Sequence, residues 1–176
     1  MIEIHDKTFE PYLSAKEIQE TIDLMSTEMN FLEKENPLFI VILKGSFIFA
    51  SDLLRALSFD GEVTFMQLKS YDGTNSTGNI TDLLGLPANL KNRTLVVLED
   101  IIDTGNTLSY LNEQLLKENP NKIYYASLLL KPSVYKKDIK IDFIGKEIPN
   151  HFVVGYGLDY NELGRTLPEI YRLKNK

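Results

Sequence analysis

The stretch LVVLEDIIDTGNTL, residues 95–108, constrains the fold more than any other part of the chain. Its first four residues are apolar without alternation. That is the pattern of a parallel strand covered on both faces, so helices have to flank the sheet that contains it. The run closes on two adjacent carboxylates, Glu99 and Asp100, and a third, Asp103, follows. Thr104, Gly105, Asn106 and Thr107 come next, small and rich in hydrogen-bond donors, and a helical pattern of Leu108, Leu111, Leu115 and Leu116 starts directly after them. Open α/β sheets bind ligands at the carboxyl ends of strands, where the topology switches. Backbone N–H groups at a helix start bind phosphate. One turn therefore presents acceptors suited to sugar hydroxyls beside donors suited to a phosphate, a pocket for a ribose 5-phosphate. The stretch is neither a G-x-x-x-x-G-K-[ST] phosphate loop nor a G-x-G-x-x-G dinucleotide fingerprint.

The rest of the chain supplies the alternation that such a strand needs. Ser14, Ala15, Lys16 and Glu17 read as a capping box, and Ile18, Ile22, Met25, Met29 and Leu32 share the helical face behind it. Asn36-Pro37 ends that helix. Residues 38–43 read as a buried strand and 47–57 as a helix, with Phe47, Ala50, Leu54 and Leu57 facing inward. Residues 62–69 are strand-like, 80–84 can return as a hairpin partner, and the polar segment between them reads as a mobile loop. Residues 123–130 form another buried strand, with shorter ones expected at 141–144 and 152–154. Strand and helix in alternation predict a mostly parallel sheet flanked by helices.

Composition narrows the class. The 176 residues fit a single domain, 1–176, and 43% hydrophobic content is that of a globular chain. A net charge of -6 gives no global basic footprint for nucleic acid. No apolar run reaches a membrane span, residues 1–6 lack the features of a secretory signal, and there is no cysteine, so a cytoplasmic location is expected. The two histidines, His5 and His151, have no metal-ligand spacing; His5 reads as a surface residue and His151 as a strand-edge one.

Residues 96–108 resemble the phosphoribosyl pyrophosphate (PRPP) signature of type I phosphoribosyltransferases. The resemblance is closest to the purine-salvage branch, the hypoxanthine (guanine) phosphoribosyltransferases. Four further segments match that branch in order, between about residues 40 and 165: LKGS at 43–46, SY at 70–71 through STG at 76–78, SLLLK at 127–131, and EIP at 147–149 running on through FVVGYGLDYNE at 152–162. The resemblance implies an α/β type I phosphoribosyltransferase fold with a flexible lid at about 70–80, beginning Ser70-Tyr71, and a small C-terminal hood from about 145–176. It implies displacement of pyrophosphate from PRPP by a purine nitrogen, with Mg²⁺ as cofactor. Glu99 and Asp100 would then meet the ribose hydroxyls or the waters around Mg²⁺. Asp103 would accept the proton at N7 of the base, and Thr104, Gly105, Asn106 and Thr107 would hold the 5-phosphate. Some relatives carry Lys where this chain has Asn106, which removes one positive charge from the phosphate site. Lys44, Gly45 and Arg165 would face pyrophosphate, and the peptide before Lys44 can be cis in relatives. Lys131 would donate to the 6-oxo group, Phe152 would stack on the purine, Val153 would read the base edge through its backbone, and Asp159 would lie beside the base and bind Mg²⁺.

The implied partners are PRPP and a 6-oxopurine, with no nucleic acid or membrane, in a homodimer or homotetramer. A xanthine-preferring relative is the alternative within the family. An RNA-binding regulator on the same fold is the alternative outside it, disfavoured by the acidic composition and by Lys131 and Phe152.

Overall fold

A computed structural model of the protein describes residues 1–70, 80–86 and 89–174. Six strands form the main sheet: β3 (Leu38–Leu43), β4 (Glu62–Ser70), β5 (Ile80–Leu84), β6 (Thr94–Ile102), β7 (Lys122–Leu130) and β8 (Phe143–Glu147). They lie in the order β5-β4-β3-β6-β7-β8. Every pair is parallel except the edge hairpin of β4 with β5.

Alternation along the central strands divides the core in two. Phe39 and Val41 of β3 and Val96 and Leu98 of β6 pack under α1 (Ala15–Met29) and α2 (Phe47–Ala56). Leu38, Ile40 and Ile42, with Leu95 and Val97, pack under α3 (Asn106–Lys117) through Leu108, Leu111 and Leu115. Both faces are therefore covered, as the unbroken apolar runs require. The expected capping box starts α1: the Ser14 hydroxyl accepts from the Glu17 N–H, while Glu17 accepts from the Ser14 N–H at 2.9 Å. That helix stops at Met29, and a 3-10 turn over Asn30–Glu35 carries Leu32 into the core before Asn36 turns left-handed.

The connection from β3 runs through α2 to β4 on one side, and that from β6 runs through α3 to β7 on the other. The strand order thus reverses between β3 and β6. The loops leaving their carboxyl ends, at Lys44 and at Asp103, border a single crevice.

Several boundaries differ from the sequence expectation. Strand β6 runs on through Glu99 and Asp100 to Ile102, because β7 continues beside it and pairs Glu99 with Ser127 and Ile102 with Leu130. The paired carboxylates thus sit inside the strand. In α2 the inward stripe is Phe49, Ala50 and Leu53, while Phe47 is exposed in the first turn. Leu116 of α3 is likewise exposed. Strand β8 begins at Phe143, two residues later than expected.

A second, antiparallel sheet of four strands lies over the carboxyl end of the main one. It joins β1 (Ile2–Ile4) and β2 (Lys7–Leu13) from the amino terminus to β9 (Val153–Val154) and β10 (Ile170–Leu173) from the carboxyl terminus. Only the carboxyl-terminal part was expected from the sequence. The amino-terminal strands complete it because β10 needs β2 as a partner: Arg172 lies opposite Glu10, and their side chains pair at 2.8 Å. Among the described residues no helix is long and apolar enough to cross a membrane.

Candidate active site

The β6–α3 turn forms one wall of the crevice. Alternation sends Glu99 toward the α3 face and Asp100 toward the α2 side, where its Oδ2 lies against Gly45. A β-carbon at Gly45 would overlap that oxygen, so the loop after β3 can approach β6 only with glycine there. After Ile102 the chain turns through Asp103 and Thr104 to Gly105, the N-cap of α3, at φ 78°. Among the described residues no side chain caps this helix; a weak contact, from the Asn106 N–H to the Thr104 hydroxyl at 3.5 Å, touches its first turn. The first N–H groups of the helix lack a side-chain cap at the edge of the hollow, with the helix dipole behind them.

The opposite wall comes from three distant segments. The Leu43–Lys44 peptide is cis. The Lys44 ammonium lies 3.0 Å from Glu162. Arg165 pairs with Asp159 at 2.8 Å, approaches Glu162 at 3.5 Å and donates to the Gly157 carbonyl at 2.9 Å. Asp159 also accepts from the Glu162 N–H at 2.7 Å. The Nε of Arg165 is buried without a partner among the described residues. Lys131, at the end of β7, is almost fully buried, and its ammonium lies 2.8 Å from Oδ2 of Asp103. Phe152 is 45% exposed. Its neighbours are Tyr160, edge-on at 5.7 Å between centroids, and Phe9 at 6.2 Å. Val153 is buried and paired with Arg172 in β9–β10.

Two adjoining hollows share Gly45, Asp100, Ile101 and Asp103. One continues over residues 104–108 and the other under Lys44, Lys131, Phe152, Asp159 and Arg165. The crevice thus brings together Lys44, Gly45, Glu99, Asp100, Asp103, Thr104, Gly105, Asn106, Thr107, Lys131, Phe152, Val153, Asp159 and Arg165. Ser70 ends β4, while Tyr71 and the rest of the expected lid up to residue 79 lie outside the described residues. His5 is exposed, beside the carbonyl of Asn161, and His151 lies edge-on to Tyr12 next to β9.

Burial governs the carboxylates of β6. Glu99 is pushed well above the ordinary carboxylate range by burial first and by the neighbouring Asp100 second. Burial also pushes Asp100 up, to about 6, against hydrogen bonds from backbone N–H groups; Arg165 draws it down and Asp159 pushes it up. Glu162 shifts the other way, lowered by its contact with Lys44.

Two features of the site were not singled out from sequence. Glu162, the partner of Lys44, stands three residues from both Asp159 and Arg165, a spacing that hints at one shared turn. The contact of Gly157 with Gly45 joins segments far apart in the chain, and a β-carbon on Gly157 would overlap the Gly45 carbonyl. No local pattern announces that approach.

Residues 12–161 match the family model for the phosphoribosyl transferase domain. A hypoxanthine-guanine phosphoribosyltransferase of Staphylococcus epidermidis is 42% identical over 164 residues, covering 92% of each chain. A crystal structure of a hypoxanthine phosphoribosyltransferase from Staphylococcus aureus superposes with a TM-score of 0.89 at 37% identity, over 97% of this chain and 94% of that one. A hypoxanthine-guanine phosphoribosyltransferase of Bacillus anthracis gives 0.87 at 32% identity, over 96% and 99%. With the fold and the crevice, these matches define the class: the chain belongs to the phosphoribosyl transferase domain family and is a transferase. Within the family it falls in the purine-salvage branch, that of the hypoxanthine (guanine) phosphoribosyltransferases.

Proposed function

We propose that this enzyme transfers the 5-phosphoribosyl group from PRPP to hypoxanthine and guanine, releasing pyrophosphate, with Mg²⁺ as cofactor. The observation that carries the reading is the Lys131–Asp103 pair at 2.8 Å, set between the exposed ring of Phe152 and the uncapped start of α3. A buried ammonium and a carboxylate side by side suit a 6-oxopurine. The ammonium can only donate, so it favours an oxo group over an amino group at C6. It has three protons and can hold Asp103 and the base together. Asp103, half exposed on the crevice side, then stands where it can take the N7 proton as the base attacks the anomeric carbon.

The 5-phosphate would lie on the backbone N–H groups of residues 104–107, and the ribose hydroxyls against Glu99 and Asp100. Lys44, Gly45 and Arg165 would face the departing pyrophosphate, where fixed positive charge counts most as negative charge develops.

The donor set fits Mg²⁺. Among the described residues no three carboxylate or imidazole groups converge as a self-sufficient metal site. Asp100 and Asp159 do border one hollow, and Mg²⁺ is usually held by one or two carboxylates, with phosphates and water completing its shell. Asp159 and Asp100 would hold it, and the bound ion would neutralise charge on the leaving pyrophosphate. The direct test is formation of inosine monophosphate from PRPP and hypoxanthine with and without excess EDTA. Turnover that stops on chelation and returns with Mg²⁺ is expected; full activity in EDTA overturns the metal assignment.

A further inference from the structure

Tyr156 lies between the two glycines of the GYG turn, residues 155–157, and is a non-glycine residue in the left-handed region at φ 51°. Its ring is buried in the core, 6% exposed, and its hydroxyl donates to Oδ2 of Asp52 on α2 at 2.6 Å. The bond spans 104 positions of sequence. It joins the two segments on which the pyrophosphate side of the crevice depends. Asp52 belongs to the helix that begins directly after Lys44, Gly45 and Ser46. Tyr156 belongs to the turn whose next residue, Gly157, presses on the Gly45 carbonyl and accepts from the Arg165 guanidinium at 2.9 Å. That turn is tied to the remainder of its loop by the Tyr156 N–H to the Leu167 carbonyl at 2.9 Å and the Gly157 N–H to the Arg165 carbonyl at 2.8 Å.

We propose that Tyr156 and Asp52 are positioning residues: their hydrogen bond latches the loop of residues 155–165 to α2 and so holds Arg165 and Asp159 in register with Lys44 and Gly45. No other side-chain hydrogen bond among the described residues ties this loop to the body of α2. The Lys44–Glu162 pair is half exposed at both ends and labile by comparison. The latch is protected from water by burial of the ring, and burial, then the bond to Asp52, keeps the phenol protonated and donating. Arg165, which would face pyrophosphate, lies on the latched loop, while Lys131 and Phe152, which would hold the base, lie outside it, so the latch acts mainly on pyrophosphate. The inference rests on the PRPP reading given above.

The test is steady-state kinetics with each substrate varied in turn. Tyr156→Phe keeps the ring in the core and removes only the donor. The KM for PRPP is expected to rise about tenfold, as for loss of one hydrogen bond to a charged group. The KM for hypoxanthine should move by less, about twofold at most, since Lys131 and Phe152 stand outside the loop and distant sites act independently. Asp52→Ala should reproduce the effect, and the double variant should be no worse than either single one, because both remove the same interaction. Asp52→Asn keeps an oxygen that can accept from the phenol and should restore the wild-type KM. Should Tyr156→Phe not fold, Asp52→Ala, on a partly exposed side chain, carries the test. Equal rises in both KM values, additive losses, or an Asp52→Asn variant as impaired as Asp52→Ala would overturn the latch. Wild-type protein inert toward PRPP would overturn the functional reading and the latch with it. Wild-type turnover with an unchanged Tyr156→Phe variant would overturn the latch alone.

Discussion

The two walls of the crevice solve opposite problems. The β6–α3 turn is contiguous in sequence and poor in contacts with itself: among the described residues its helix has no side-chain cap, and a single contact of 3.5 Å touches its first N–H groups. The facing wall is gathered from residues 44, 131 and 159–165, and its cations are already paired, Lys44 with Glu162, Arg165 with Asp159, and Lys131 with Asp103. An anion meeting the first wall finds donors waiting. A substrate meeting the second must exchange ion pairs for its own. The lesson is that the phosphate wall gains from being left unsatisfied, because fixed backbone donors need no partner to stay in place. Long cationic side chains do need one, and the carboxylates beside them hold them in reach.

Substitutions can break or sharpen that contrast. Asp103→Ala should have the largest effect, lowering kcat by roughly 10² to 10⁴, the range for loss of a general base, with a smaller change in the KM for PRPP. Unchanged turnover would remove Asp103 as the proton acceptor and leave it as a mere counter-ion for Lys131. Lys131→Ala should lower kcat/KM for hypoxanthine by about 10- to 100-fold, as expected for losing a charged hydrogen bond, while PRPP affinity measured by calorimetry stays near the wild-type value. Equal losses for both substrates would make Lys131 structural.

The carboxylates of β6 make a prediction about stability. Asp100 has a folded pKa of about 6 against an ordinary value of 3.8, so the folded state holds this proton more tightly than the unfolded chain. The stability it contributes is complete below its unfolded pKa and is lost as pH rises through about 6. Asp100→Asn should therefore raise Tm by a few degrees at pH 7.5 and flatten its decline between pH 4 and 7, while lowering activity. A lower Tm at pH 7.5 would contradict the burial argument. Glu162→Gln should act least. Its pair with Lys44 is half exposed and contributes little, so loosening Lys44 should raise the KM for PRPP by less than about fivefold. A fall in that KM would show that Glu162 competes for Lys44 instead of holding it in place.

The same contrast explains what could be read from the sequence. The strand, turn and start of α3 lie within 14 consecutive residues, and their physics is local: an unbroken apolar run, a donor-rich turn, a helical stripe. The capping box at Ser14 and the buried strand β3 are local in the same sense. Helical spacing points Phe47 inward, yet it sits exposed in the first turn of α2 beside the Lys44 loop, and Phe49 and Leu53 carry the stripe. The carboxylates Glu99 and Asp100 mark the end of the apolar run but not of the strand, because pairing with β7 decides where β6 stops. Strands β1 and β10 are short, and β2 contains Pro11; they exist because the two chain ends pair with each other. The Lys44–Glu162 and Tyr156–Asp52 contacts join positions more than 100 residues apart, and no spacing within either segment encodes them.

The central claim is that the crevice joins a 6-oxopurine to the ribose of PRPP. A single assay tests it most directly: PRPP and Mg²⁺ with hypoxanthine, guanine, xanthine, adenine and uracil side by side, following pyrophosphate release. The account predicts rapid turnover with hypoxanthine and guanine, none with adenine, since the buried Lys131 ammonium can donate to an oxo group but cannot accept from an amino group, and none with uracil, which has no imidazole N7 to give its proton to Asp103. Turnover of adenine or uracil in preference to hypoxanthine would contradict it.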